Sequence, residues 1–275
     1  MLRIAFTLFV AAAATLAALP DPVAPAPDSP RPIDAVDSVF VEDLTWMEIR
    51  DRMREGCDTV LIATGGIEQN GPYIVTGKHN VILRGATQRI ARKLGNTLVA
   101  PIVAFVPEGD ISPPSLHMKY PGTISLREET YQALLTDICA SFKTHGFKRI
   151  VLLGDSGGNQ AGMKAVAEKL NSDWAGAARV VFVPEFYDYG GLAKWVEGQG
   201  VRQQPEGLHD DFVISTQILA VDPAALRAEQ RIKAGNFKIN GVDLAPLEKS
   251  AEWGRKILDY RAEQAVAVIR ARQSR

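Results

Sequence analysis

The chain has few of the residues that announce a function. Of its 275 residues, 2 are cysteine and 4 are histidine. Two thiols, Cys57 and Cys139, cannot staple a disulfide scaffold. Four imidazoles limit any metal site to a few nitrogens completed by carboxylates. An excess of one charge is also missing, with Lys+Arg 31 against Asp+Glu 32. Phosphate binding needs clustered, uncompensated cations, so nucleic acid is excluded as a partner. The apolar run Ile4 to Leu19 falls short of the roughly 20 residues of a membrane span.

What is present is ordinary for a soluble globular protein, 46% hydrophobic and 23% charged, with length enough for one large core. Met1-Leu2-Arg3 gives a positive start to the apolar run, which ends in the small residues Ala17 and Ala18 and passes into a proline-rich stretch. This layout predicts a signal peptide and the start of a linker over 1–24, a Pro-rich linker over 25–39 and a single domain over 40–275. A periplasmic or secreted protein, free of the membrane after cleavage, is expected. An oxidising compartment would allow Cys57 and Cys139 to pair, but their apolar surroundings favour two separately buried thiols.

From residue 40 onward strands and helices alternate. Thr45 and Glu48 form a capping box for a helix to Glu55. Thr59 to Ala63 is a β-branched apolar run and reads as a buried strand. A helix capped by Asn80 is expected to Leu94, a strand over Thr97 to Val103, and a second capping box at Ser125 and Glu128 opening a helix to Gly146. Arg149 to Gly154 reads as a strand, followed by a helix through Leu170 and a strand over Arg179 to Pro184. Phe212 to Leu219 and Ser250 to Arg272 read as helices. Strands separated by helices predict an α/β fold, a three-layer αβα sandwich with a mostly parallel central sheet.

In such sheets ligands sit beyond the carboxyl ends of the strands. Two loops leave such ends, residues 65–80 and residues 154–160. Glu68 and His79 in the first can share a divalent metal, or serve only as a turn cap and a helix flank. Asp155 and Ser156 in the second precede a helix whose amides can hold an oxyanion. Gly154-Asp155-Ser156-Gly157-Gly158 also fits a loose nucleophile-elbow string, or a turn in which Ser156 caps the helix. His209 at a helix entry is a candidate proton donor or ligand, with Asp210 and Asp211 answering the helix dipole. His117 is read as orienting a turn, and His145 as ending a helix. Glu185, at a strand end, is a candidate for the pocket. Phe186, Tyr187, Tyr189 and Trp195 follow it as a lid or a subunit interface.

Together these segments resemble the creatininase (creatinine amidohydrolase) family. The resemblance rests on Gly-Gly-Ile-Glu-Gln-Asn-Gly-Pro-Tyr (65–73), His117 with Tyr-Pro-Gly-Thr-Ile-Ser-Leu (120–126), Gly-Asp-Ser-Gly-Gly-Asn (154–159) and Gly-Leu-His (207–209). It implies metal-dependent hydrolysis of cyclic or linear amides of small molecules and a homo-oligomer, frequently a hexamer. The family's glutamate ligand corresponds to Glu68. Asn70, Tyr73 and Ser156 fall where the family places histidines, His79 where it places the metal-bridging aspartate, and Gly158 where some members place a glutamate ligand. Ile214 matches a family glutamate, and His209 a histidine that handles protons. With the bridging carboxylate gone, one ion is expected rather than two, zinc with manganese or iron as alternatives. Glu68 and His79 would hold it, completed by Asp155 or His209. Catalysis is expected from His209, Asp155 and Ser156, and substrate binding from Asn70, Tyr73, Gly157, Gly158 and Glu185. The alternative is a non-catalytic member of the fold that binds a small molecule.

Overall fold

A computed structural model describes residues 23–204 and 209–273. The expected signal segment and the Gly207-Leu208 dipeptide lie outside them. Two units are distinguished, Met1–Ala35 and Val36–Arg275. In the first, residues 23–35 carry no helix or strand.

The second unit begins with helix α1 (Trp46–Arg54), then strand β1 (Thr59–Thr64), helix α2 (Lys78–Leu94) and strand β2 (Thr97–Val99). Helix α3 (Glu128–His145), strand β3 (Arg149–Gly154), helix α4 (Gln160–Trp174) and strand β4 (Arg179–Phe182) follow. The chain ends with α5 (Tyr189–Gly198), α6 (Phe212–Val221), α7 (Ala228–Lys233), a small hairpin of β5 (Lys238–Ile239) and β6 (Val242–Asp243), and α8 (Leu247–Gln273). Four strands form a parallel sheet in the order β2-β1-β3-β4.

Strand alternation builds the two cores. Leu61 and Ala63 of β1, with Val151 and Leu153 of β3, face a cluster containing Ile82, Leu83 and Ile90 of α2, Ile218 of α6 and Leu258 and Ala262 of α8. Val60 and Ile62, with Ile150 and Leu152, face Tyr131, Leu135 and Cys139 of α3 and Met163 and Val166 of α4. Both sheet faces are therefore covered, which explains why β1 reads as a continuous apolar run. Each such buried side chain contributes about 1.5–3 kcal/mol relative to exposure. Helices α6 and α8 approach closely at Gly254, where a Cβ would lie 1.8 Å from the Thr216 carbonyl oxygen.

The Thr45–Glu48 capping box is present, with Glu48 Oε2 accepting from the Thr45 amide at 2.8 Å. Several expected boundaries differ, among them β4, which ends at Phe182 and not Pro184, and α4, which runs on from Leu170 to Trp174. Strand β2 stops at Val99 because Pro101 has no N–H to donate, and Val103 rejoins the sheet only as a bridge to Thr64. Helix α2 starts at Lys78, two residues before the expected cap, because the Asn80 side chain binds the Gly66 backbone instead, at 3.3 Å to both its N and its O. Ser125 does not cap α3. Its hydroxyl accepts from the Glu108 amide at 2.9 Å and donates to the Gly109 carbonyl at 2.6 Å. Cys57 and Cys139 are free thiols. No helix among the described residues is long and apolar enough to cross a membrane.

Candidate metal centre

The loops leaving β1 and β3 meet at one end of the sheet, because Thr64 and Gly154, the last residues of the two strands, are paired. Asn159 ties the loops together, its Nδ2 donating to the carbonyls of Thr64 at 3.1 Å and Gly65 at 2.8 Å. Ile67 bridges Ile124, and the Glu68 amide donates to the Thr76 carbonyl at 3.0 Å. These bonds fix Glu68 at the floor of a cleft of about 480 Å³.

Glu68 is 1% exposed, and four cationic or imidazole groups converge on it. His79 Nε2 lies 2.8 Å and Lys78 Nζ 3.3 Å from Oε1. His117 Nε2 lies 3.3 Å from Oε2, and His209 Nε2 lies 3.7 Å from Oε1. The His117 and His209 rings meet edge to face at 4.7 Å. Glu68, His117 and His209 each offer one ligand atom, and these atoms all lie within 4.8 Å of one another. Ligands about 2.1 Å from a tetrahedral zinc are about 3.4 Å apart, and the two imidazoles lie 3.3 and 3.7 Å from Oε2 and Oε1 of Glu68 respectively. Glu108 Oε1, His117 Nδ1 and His209 Nδ1 are buried without a hydrogen-bond partner among the described residues, three such polar atoms around one cleft. The donor set therefore fits a divalent cation.

Electrostatics separates the roles of these groups. Burial opposes the charge on Glu68, but the hydrogen bond and charge of His79, with Lys78 and His209, hold its carboxyl well below the usual range. Burial and the Lys78 charge bring His209 down to about 4. Its ring is thus neutral at pH 7, with a lone pair to offer, which suits the ligand half of its expected role. Burial and the Glu68 charge push Glu108 up to about 9, which leaves it protonated at neutral pH.

His79 and Asp155 occupy different places from those expected. His79 Nδ1 meets Asp155 Oδ2 at 2.9 Å and Nε2 meets Glu68 Oε1 at 2.8 Å. Burial disfavours a charge on this ring, but the two carboxylates raise its pKa above the ordinary value. With both ring nitrogens within hydrogen-bond distance of carboxylates, His79 clamps Glu68 against Asp155 and turns no free nitrogen to the cleft. Asp155 is also spent. Its Oδ1 accepts from Arg261 Nη2 at 2.6 Å and from the Tyr189 hydroxyl at 2.8 Å. Buried Arg261 is held in turn by Gln217 at 2.9 Å and lies 4.0 Å over the Phe186 ring.

Of the expected substrate contacts, Gly157 and Gly158 line the cleft together with Ser156. Gly158 has to be glycine, since a Cβ there would sit 2.5 Å from the Pro107 carbonyl oxygen. Asn70 does not reach the cleft. It closes its own loop by donating to the carbonyls of Glu68 at 2.9 Å and Val75 at 3.1 Å. Tyr73 lines a separate depression, bonded to Asn236 and facing the Arg231 guanidinium. Glu185 pairs with Arg272 and lies outside the cleft. Asp211 caps α6 through the Ile214 amide at 2.8 Å, and Asp210 pairs with Arg231 at 3.0 Å.

The sequence reading passed over Lys78, Glu108 and Arg261 and gave His117 too small a part. Arg261 left a signal, a charge inside the apolar stripe Leu258, Ala262, Ala265 of α8. Lys78 and Glu108 left none, because a lysine or glutamate in a loop is ordinarily solvated.

The family profile for creatininase, described as creatinine amidohydrolase, matches residues 42–269. The chain belongs to the creatininase family. Two curated relatives align over shorter stretches. A 3-dehydro-scyllo-inosose hydrolase of Thermotoga maritima is 29% identical over 119 residues, 43% of this chain and 36% of the relative. The creatinine amidohydrolase of Pseudomonas putida is 28% identical over 116 residues, 42% of this chain and 44% of the relative. The chain thus matches less than half the length of each. Among solved structures, a manganese form of creatininase superposes with a TM-score of 0.64 at 20% identity, covering 86% of this chain and 98% of the other. A variant described as Zn-Zn type gives 0.60 at 19%, covering 83% and 97%. At these identities the structural matches establish the creatininase fold, the three-layer αβα sandwich, and nothing finer.

Proposed function

We propose that this creatininase-family protein is a metal-dependent amidohydrolase that cleaves a cyclic or linear amide C–N bond in a small molecule. The observation that carries this reading is the convergence of Glu68, His117 and His209, at the spacing a divalent ion imposes, on the floor of a cleft in a creatininase fold. A zinc, manganese or iron ion held there would supply a water of lowered pKa and polarise the amide carbonyl. His79 and Lys78 fix the Glu68 carboxylate, and neutral His209 presents a lone pair. The Glu108 carboxyl, lining the cleft beside Glu68, is the group placed to pass a proton to the leaving nitrogen. Gly157 and Gly158 line the wall where an oxyanion would form, and Ser156 lies between them and Asp155.

Both curated relatives are named as hydrolases of ring compounds, which supports a small cyclic substrate here too. The export reading, with a periplasmic or secreted location, rests on the charge and hydropathy pattern of residues 1–32, and the homo-oligomer on family resemblance. The test is metal content by mass spectrometry of the wild type and Glu68→Ala, followed by a screen of lactams and linear amides with and without chelator. About one equivalent lost in the variant, and chelator-sensitive hydrolysis, are expected. A folded protein that takes up no offered metal would instead favour the binding protein without turnover.

A further inference from the structure

Oε1 of Glu68 is already engaged by two side chains of this chain. His79 Nε2 lies 2.8 Å from it and Lys78 Nζ 3.3 Å, with the ammonium also 3.3 Å from the His209 carbonyl. Lys78 is wholly buried, with 0% of its surface exposed. Of the other carboxyls lining the cleft, Asp155 is used up, giving one oxygen to His79 and the other to Arg261 and Tyr189, and Asp211 caps α6, which leaves Glu108 beside Glu68. A two-metal centre needs a carboxylate whose oxygens are open to both ions. A solved protein of the same fold is described as Zn-Zn type. Among the described residues, the Glu68 oxygen that neither Lys78 nor His79 approaches is Oε2, which faces His117 at 3.3 Å.

We propose that Lys78 is a resident cation standing in for a second metal ion. Its ammonium, with the His79 ring, fills the Oε1 side of Glu68, so the cleft accepts one divalent ion beside His117 and His209 and excludes another. The inference rests on the metal-centre reading above. Lys78 is shielded from solvent at the wall of the cleft, its ammonium engaged by Glu68 and the His209 carbonyl. It is a positioning residue that acts through Glu68, orienting the carboxylate and supplying fixed positive charge where an exchangeable ion would otherwise be needed. The same charge repels the ion that does bind. Removing it should therefore strengthen metal binding, whereas a merely structural lysine would weaken it when lost.

The experiment is a manganese titration of the full chain, wild type and the variants Lys78→Met and Lys78→Gln, read by native mass spectrometry and electron paramagnetic resonance. Circular dichroism first establishes that each variant is folded. The wild type is expected to take one equivalent and give an uncoupled Mn(II) signal at every loading. Both variants are expected to bind that ion at least tenfold more tightly. A second equivalent or a spin-coupled manganese pair in the wild type overturns the inference, as do folded variants that bind manganese equally or more weakly. If the variants fail to fold, the wild-type stoichiometry and signal still decide. No bound manganese in the wild type overturns the metal-hydrolase reading itself, and the inference with it. One or two ions leave that reading intact.

Discussion

Nε2 of His79 lies 2.8 Å from Oε1 of Glu68, and this bond fixes the direction of a carboxylate that follows β1. Behind it, His79 leans on Asp155, and Asp155 on Arg261 of the last helix. The geometry of a metal site is usually sought in its ligands alone, but here a buried chain of paired polar groups runs from α8 to the cleft floor and sets the position of Glu68.

His79→Gln tests the clamp. Breaking one member of a buried ionic group leaves the others uncompensated, so a stability loss of about 3 kcal/mol or more is expected. Metal affinity should fall about 10–100-fold, the effect of losing an outer partner, with the stoichiometry unchanged. Chemical unfolding and a metal titration measure both. Complete loss of the ion would mean that His79 is itself a ligand.

The pH dependence of the same pair has a definite sign. Asp155 lies below its ordinary value of 3.8, because the Arg261 charge and the His79 bond outweigh burial. Its contribution is full above that value and is lost as pH falls. His79 lies above its ordinary 6.5, so its contribution is full below 6.5 and is lost as pH rises through the folded-state value. In the metal-free protein the stability difference between wild type and His79→Gln should therefore be greatest between about pH 4 and 6.5. Unfolding curves across pH 3–9 check this, and a difference that keeps growing above pH 7 would contradict it.

How much of this was legible in the sequence differs by element. The β1 and β3 runs and the Thr45–Glu48 box declare themselves because each is a local pattern with a local cause. Ser125–Glu128 has the same box spacing, yet Ser125 is drawn to the Glu108 and Gly109 backbone, a partner 16 or 17 residues away that no window reveals. Glu68 and His209 were recognisable as site residues from their loops and the family resemblance. His117 was seen as a turn residue, since only the folded chain brings its ring to Glu68. His79 is legible as a site residue, but its contacts are not. Sequence shows that an imidazole and two carboxylates are available, but not that both ring nitrogens will be spent on those carboxylates.

Glu108→Gln keeps the size of the side chain and removes its proton-transfer capacity. A fall of about 10²–10⁴-fold in kcat is expected on whichever amide the screen identifies, with metal content unchanged. Steady-state kinetics beside mass spectrometry measures the pair of effects. Unchanged kcat would remove Glu108 from the proton path.

Gly254→Ala tests the packing that carries Arg261 to the site. The new methyl would meet the Thr216 carbonyl at 1.8 Å, a backbone atom with no side-chain freedom to yield. Overpacking of this kind costs about 3 kcal/mol or more. The expected outcome is a clear drop in melting temperature, and a variant as stable as wild type would mean that α6 and α8 part more easily than their contact suggests.

The central claim is that Glu68, His117 and His209 hold the metal. The most direct measurement is anomalous diffraction at the zinc edge from crystals of the zinc-loaded protein. The account predicts one peak, bounded by a Glu68 oxygen and the two imidazoles at about 2.0–2.2 Å, with His79 still bridging Glu68 and Asp155. A peak bonded to His79 or Asp155, or two peaks sharing Glu68, would contradict it.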